Sequence, residues 1–197
     1  MKRIYIIILL LIVTSGSRLI AQTNLFALQY SVGFTMGDFK DFIGKESWRG
    51  VTMDYRSMVN ENVGVGIETG WNAFYEKKDY ATYVDGTRSL SGTQFRYCSA
   101  IPILVSADYY FNPGESLSPF IGLGIGTIYT RNDLDMGLYT IREDVWHFAL
   151  KPEAGLLFKT RPDFGIMLCV KYYNGFNSED LGTRNYVATN IGFVWEY

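Results

Sequence analysis

One histidine, two cysteines and five prolines stand in 197 residues, and these shortages do the first sorting. A single imidazole, His147, leaves any histidine-dependent hydrolysis one residue to pass through. Two thiols, Cys98 and Cys169, allow at most one disulfide, so a small fold held together by several disulfides is excluded. Charged residues make up only 19%, with 18 Lys and Arg against 20 Asp and Glu. That excludes a disordered chain and a basic nucleic-acid surface alike. Long apolar runs are also missing. The one candidate, residues 4–13, has about half the roughly 20 residues that a membrane-spanning helix needs.

That short run has another meaning. Lys2 and Arg3 precede it, and a small, polar stretch ending in Ala21 follows, which is the pattern of a secretory signal peptide over residues 1–21. Cleavage after Ala21 would leave residues 22–197 as the mature domain. No cysteine lies at the junction, so an acylated N-terminus is not expected.

What the chain has in abundance is glycine and aromatics: 20 Gly, 15 Tyr, 13 Phe and four Trp. They are arranged with period two. Phe26, Leu28, Tyr30, Val32, Phe34 and Met36 alternate with Ala27, Gln29, Ser31, Gly33 and Thr35. Val63, Val65, Ile67, Thr69 and Trp71 alternate with Gly64, Gly66, Glu68 and Gly70. Eight such segments follow one another, and no apolar 3.6-residue pattern persists for three turns. Each is long enough for the roughly 9–11 residues of a tilted transmembrane strand. Pro102, inside the fourth, predicts a bulge.

The links alternate between short (58–62, 112–118, 159–163) and long (37–47, 76–93, 131–144, 175–184). Short turns on one rim and long loops on the other predict an all-β fold, an eight-stranded antiparallel up-and-down transmembrane β-barrel. A soluble barrel would have to place the apolar set inside. An eight-stranded lumen is only just wide enough for side chains to fill, so this many Trp, Tyr and Phe residues belong outside against lipid. Glycines then share the inner face, where they make room. Trp71, Tyr75, Tyr129, Trp146 and Tyr172 near one rim and Phe26, Tyr109, Phe158, Phe164, Trp195 and Tyr197 near the other predict two aromatic girdles.

Inward positions carry four acids, Asp54, Glu68, Asp108 and Glu153, and four bases, Arg56, Arg96, Lys151 and Lys171. Buried charges need partners, so a paired network is expected, with Glu68 beside Arg56 and Arg96 and with Glu153 beside Lys171. A filled, charge-balanced lumen argues against a selective pore. Cys98 and Cys169 face inward on strands that are not neighbours, which predicts two free thiols. Asp133 and Asp135 read as solvated loop charges. Asp85-Gly86 is a hairpin signal that predicts strands three and four continuing above the membrane, and it marks Tyr80, Tyr83, Asp85 and Arg88 as candidates for contact with a partner.

With these residues in place the chain resembles the small outer-membrane β-barrel proteins of OmpA, OmpX and OmpW type from Gram-negative bacteria. The resemblance covers essentially residues 23–197. It is carried by Ala100-Ile101-Pro102-Ile103-Leu104 with Tyr109-Tyr110-Phe111, by Pro119-Phe120-Ile121-Gly122-Leu123-Gly124-Ile125-Gly126 and by Pro152-Glu153-Ala154-Gly155. Ala100 departs from the acidic residue expected before Ile-Pro. The series Ile191, Phe193, Trp195 and Tyr197 looks like the signal read by the barrel-assembly machinery.

The resemblance implies a location in the outer membrane, long loops outside, both termini in the periplasm, and outer-membrane lipids and lipopolysaccharide as surroundings. A monomer is expected, with no cofactor, metal or nucleic acid. The expected role is structural or adhesive, through the long loops and an extracellular ligand. The alternatives are a lipid-modifying outer-membrane enzyme and a narrow porin-like channel. Outer-membrane lipid deacylases would want a serine two residues after the histidine, where Ala149 stands, so no enzymatic activity is expected.

Overall fold

The computed structural model describes residues 23–85, 88–137, 139–176 and 182–197; the expected signal peptide lies outside the described residues. Eight strands follow in order: β1 (Asn24–Met36), β2 (Gly50–Met58), β3 (Val63–Asp85), β4 (Arg88–Tyr110), β5 (Leu117–Met136), β6 (Tyr139–Arg161), β7 (Phe164–Gly175) and β8 (Arg184–Glu196). Each pairs antiparallel with the next, and β1 pairs with β8 from Leu25 opposite Glu196 to Met36 opposite Asn185, closing the ring.

Period two sorts the side chains as a lipid-facing barrel requires. On β1, Leu25, Ala27, Gln29, Ser31 and Thr35 are buried, while Leu28, Tyr30, Phe34 and Met36 are exposed. The exposed set continues around the ring through Ile67, Ile103, Val105, Leu123, Ile125, Phe148, Val170 and Ile191. The aromatic rims stack on themselves: Tyr129 lies 5.0 Å from Trp146 at one, and Phe164 lies 5.9 Å from Trp195 at the other. Inside, glycine clears space for charge. A Cβ on Gly122 would run into Asp108 Oδ1, and one on Gly124 would sit 3.0 Å from Lys151 Cε.

The strands are unequal. β1, β2, β7 and β8 have 9 to 13 residues, whereas β3, β4 and β6 have 23 and β5 has 20. β2 begins at Gly50, opposite Asn72, and β7 ends at Gly175, opposite Ala149. Above those levels β3, β4, β5 and β6 continue as a four-stranded sheet that stands clear of the ring.

Four local expectations are corrected. Segment 131–144 is a hairpin rather than a loop, because Arg131 pairs with Asp144 and the register runs unbroken to Met136 opposite Tyr139. Pro102 makes no bulge. The β4–β5 register passes through it unchanged, and its ring interrupts only the pairing toward β3. The bulge lies higher, between Lys78 and Ala81. That one-residue shift puts Asp85 opposite Arg88, so the two linking residues are 86 and 87, outside the described residues, and not Asp85-Gly86. Finally, the first long link holds a short helix, α1 (Asp38–Phe42).

Candidate functional site

The lumen is closed by two layers of different chemistry. In the middle layer, Lys151 Nζ donates to Glu68 Oε2 and Glu153 Oε1, both at 2.5 Å. Lys171 Nζ donates to Asp54 Oδ2 at 2.8 Å and Glu68 Oε2 at 3.0 Å. Arg56 donates from Nε to Asp108 Oδ2 at 2.5 Å and from its terminal nitrogen to Glu153 Oε1 at 3.3 Å. Tyr173 donates its hydroxyl proton to Glu68 Oε1 at 2.7 Å, and Gln29 donates to Asp54 Oδ2 at 2.6 Å. All of these groups are buried. Strands β1, β2, β3, β4, β6 and β7 each contribute, so the network ties the wall together across the barrel. Seven of the eight expected charges are brought together here.

Arg96 is the exception, and the layer is four acids against three bases. Arg96 faces Glu76 across the β3–β4 ladder, two turns of the pleat above Ala100. Its Nη1 donates to the carbonyls of Asp41 at 3.2 Å and Phe42 at 2.7 Å, and its Nε donates to Gln94. The end of α1 supplies carbonyls without helical partners, and a guanidinium satisfies them. Of the two neighbours expected for Glu68 from strand order, Arg56 pairs with it at 3.7 Å and Arg96 does not, and the shorter contacts come from long lysine stems reaching across the lumen.

α1 makes the upper layer. Phe39 and Ile43 are fully buried in an apolar cluster with Phe74, Cys98, Leu104, Ile128, Tyr173 and Tyr186. Phe39 meets Phe74 edge-on at 4.9 Å, and Tyr173 stacks on Tyr186 at 4.6 Å. Phe42 lies under two guanidiniums, those of Arg96 at 5.3 Å and Arg184 at 5.8 Å. Polar links hold the rim: Asp38 Oδ2 accepts from the Thr183 amide at 3.0 Å and hydroxyl at 2.8 Å, and Glu76 Oε2 accepts from the Gly44 amide at 2.8 Å. The Thr183 donors hold the Asp38 carboxyl below the usual carboxylate range. The sequence signal for this plug is slight: Phe39, Phe42 and Ile43 at i, i+3 and i+4 over a single turn.

His147 is buried beside the plug. Its Nδ1 lies 3.0 Å from the Phe176 carbonyl and its Nε2 lies 3.1 Å from Thr130 Oγ1, so both ring nitrogens are occupied, and Ala149 below it is buried and apolar. The thiols are unpaired. Cys98 belongs to the upper cluster, and Cys169 belongs to the lower one, donating to Gln29 Oε1 at 3.2 Å.

Above the plug, the protruding sheet carries the residues singled out for partner contact. Tyr80 is 72% exposed. Tyr83 and Asp85 on β3 and Arg88 on β4 are placed by backbone register, Asp85 facing Arg88. Asp133 and Asp135 lie on β5. Asp133 accepts from Arg142 Nε at 2.6 Å, Asp144 accepts from Arg131 Nε at 2.9 Å, and Asp135 accepts from Thr140. These pairings raise the Arg142 guanidinium and lower the Asp144 carboxyl from their ordinary values. At the opposite mouth, Leu25, Met58, Tyr110, Leu157, Lys159 and Glu196 border a bowl of about 690 Å³. Ile191, Phe193, Trp195 and Tyr197 all face outward there and upward along β8.

Solved structures share this architecture. Ail, the attachment invasion locus protein of Yersinia pestis, in complex with the heparin analogue sucrose octasulfate, superposes with a TM-score of 0.53 at 15% identity, over 89% of this chain and 97% of that one. The N-terminal β-barrel domain of Pseudomonas aeruginosa OprF superposes with a TM-score of 0.51 at 12% identity, over 89% and 97%. At such identities the likeness is one of fold. No curated protein matches in sequence. The model of the outer membrane protein beta-barrel domain matches residues 6–196. A closed eight-stranded ring with lipid-facing aromatics and a match over nearly the whole chain place this protein in the outer membrane protein beta-barrel domain family.

Proposed function

We propose that this outer-membrane barrel is a surface binding protein, an adhesin-like anchor whose recognition element is the four-stranded sheet rising from the long-loop rim. The observation that carries this reading is the continuation of β3 to β6 beyond the ends of β2 and β7. A barrel with only a structural role needs no such extension, and the sheet displays Tyr80, Tyr139 and Ile141 to solvent. The two sealed layers fit an anchor better than a channel. His147, fully buried with its nitrogens engaged by Thr130 and the Phe176 carbonyl, fits a packing role better than catalysis.

In this reading the long-loop rim faces outward, the termini lie in the periplasm, lipid and lipopolysaccharide surround the belt, and the barrel is a monomer. The outward series Ile191, Phe193, Trp195 and Tyr197 serves the assembly machinery. Deleting residues 195–197 should reduce insertion more than an equal deletion in the β3–β4 tip, measured as the heat-modifiable band on unboiled gels.

Two measurements on intact cells test the main claim. A Tyr80→Cys variant should react with a membrane-impermeant maleimide, and deleting residues 79–92 should abolish attachment to an immobilised extracellular protein without lowering barrel abundance. Labelling only after lysis, or unchanged attachment by the deletion variant, would overturn it.

A further inference from the structure

The middle layer holds four carboxyl groups against three cations, and all seven are buried. We propose that this layer is a proton-binding site, in which Asp54 carries one proton on Oδ1 and a single enclosed water joins it to Asp108. The inference goes beyond the role of the sheet and does not depend on it.

Charge makes the first demand. With every carboxyl group ionised, the layer would keep one negative charge without a partner, away from water, which is the least tolerable form of burial. The other inward arginines do not answer it. Arg96 is spent on the carbonyl of Phe42, and Arg184 lies over the ring of Phe39, both in the plug layer. One proton restores the balance.

The hydrogen bonds show where that proton belongs. Glu68 uses both oxygens, one for Tyr173 and one for the two lysines. Glu153 accepts from Lys151 and Arg56 on Oε1, with Lys171 3.8 Å from Oε2. Asp54 and Asp108 are only 4% and 3% exposed, and each is engaged through Oδ2 alone. Both Oδ1 atoms are buried without a hydrogen-bond partner.

The two aspartates differ in their neighbours. Asp108 faces Gly64 and Gly122 across its two ladders and has Arg56 beside it. Asp54 faces Glu68, and both accept from the same ammonium, Lys171 Nζ, at 2.8 and 3.0 Å. Like charges opposite each other on a ladder repel, and two carboxyl groups sharing one cation do not both ionise cheaply. Glu68 already has three donors, so the proton falls to Asp54. Its Oδ2 stays an acceptor for Lys171 and Gln29, and its Oδ1 becomes a hydroxyl. Arg56 Nη2, 3.7 Å from that oxygen, is too far to donate to it.

The space beside them fits the rest of the unit. Asp54, Arg56, Asp108 and Glu153 line a cavity of about 10 Å³, room for one water. That water accepts from the Asp54 hydroxyl and donates to Asp108 Oδ1, which gives both bare oxygens a partner. A guanidinium on the wall disfavours a metal ion, and among the described residues no set of ligating side chains is arranged to hold one.

The titratable and charged groups around the site are Arg56 on the same strand, Glu68 on β3, Asp108 and Tyr110 on β4, Lys151 and Glu153 on β6, and Cys169, Lys171 and Tyr173 on β7. At this level β1, β5 and β8 turn only neutral residues inward, among them Gln29, Gly122 and Asn190. A proton kept by the folded barrel and released by the unfolded chain adds stability that is present at low pH and lost as pH rises.

The test uses the full-length barrel in detergent micelles with carboxyl-labelled aspartate, read by nuclear magnetic resonance. One aspartate signal should report the protonated form at about pH 7, move to the ionised position as pH rises, and be missing from Asp54→Asn. Asp163→Asn, in an exposed turn, should keep it. As a second readout, the urea midpoint for loss of the heat-modifiable band should fall between about pH 7 and about pH 10 in the parent, and by less than half as much in Asp54→Asn. Aspartates that are all ionised at neutral pH would overturn the proposal from the parent spectrum alone. A protonated signal that survives Asp54→Asn would overturn the assignment to Asp54. Ionised aspartates together with a midpoint that rises when sodium replaces choline would give the missing charge to a metal cation and overturn the proton.

Discussion

The two layers that close the lumen are a few residues apart along each strand and are built on opposite physical terms. The middle layer is charged: its carboxylates are desolvated and tolerable only because cations, the Tyr173 hydroxyl and the Gln29 amide surround them. The upper layer is a hydrophobic and aromatic stack whose members would be content in many arrangements, and its position depends on a few polar links at the rim. Pairwise complementarity makes the charge layer rigid and unforgiving. The plug layer owes its place to a loop and is the part that can be loosened without opening the wall.

Glu68→Ala should break this contrast hardest. It takes one acceptor each from Lys151 and Lys171, leaving them Glu153 and Asp54, and the only acceptor from the buried Tyr173 hydroxyl, at a cost on the order of 3–5 kcal/mol for breaking a buried network. A lower urea midpoint for loss of the heat-modifiable band would show it, and an unchanged midpoint would mean the network is not structural.

Phe39→Ala comes next, removing the centre of the aromatic stack for roughly 3 kcal/mol. Its effect should be local, with faster amide exchange in residues 38–43 and an unchanged barrel midpoint. Planar-bilayer recordings of the Phe39→Ala protein should stay silent because the charge layer still seals the lumen. Steady ionic current would show that the lower seal is illusory.

Arg96→Ala should cost less, about 1–2 kcal/mol for the lost carbonyl contacts of α1. It should leave the Glu68 network intact, which separates it from the charge layer it was expected to join.

The smallest effect concerns acidity. Asp38 has a folded-state pKa below its ordinary value, so its stabilisation is present above about pH 4 and is lost as pH falls through the folded value. Exchange in the plug should therefore accelerate on strong acidification, and Asp38→Asn should remove that dependence.

The wall was legible because period two records which way each strand residue points, and lipid on one side with a narrow lumen on the other leaves little freedom. Asp54, Glu68, Asp108 and Glu153 were found by parity alone. Parity says nothing about height. Arg96 shares the inward face but stands at the level of the plug, and its guanidinium answers carbonyls from a helix that no periodicity announced. One turn is too short for a pattern, and Phe39, Phe42 and Ile43 acquire meaning only against Phe74, Tyr186 and the arginines. Hairpin 131–144 reads as a loop because Arg131, Asn132, Asp133 and Asp135 dilute its alternation to a short one, Leu134 and Met136 on one arm and Tyr139 and Ile141 on the other.

α1 has a consequence for the order of assembly. It belongs to the first link of the chain, yet its anchors include Thr183, Arg184 and Tyr186, which arrive last. Until β8 has zipped onto β1, the part of the plug's binding surface that Arg184 and Tyr186 supply does not exist. The plug therefore acts as a clasp over the closing seam: it joins the earliest part of the barrel to the latest, and it can latch only on a cylinder that is already complete.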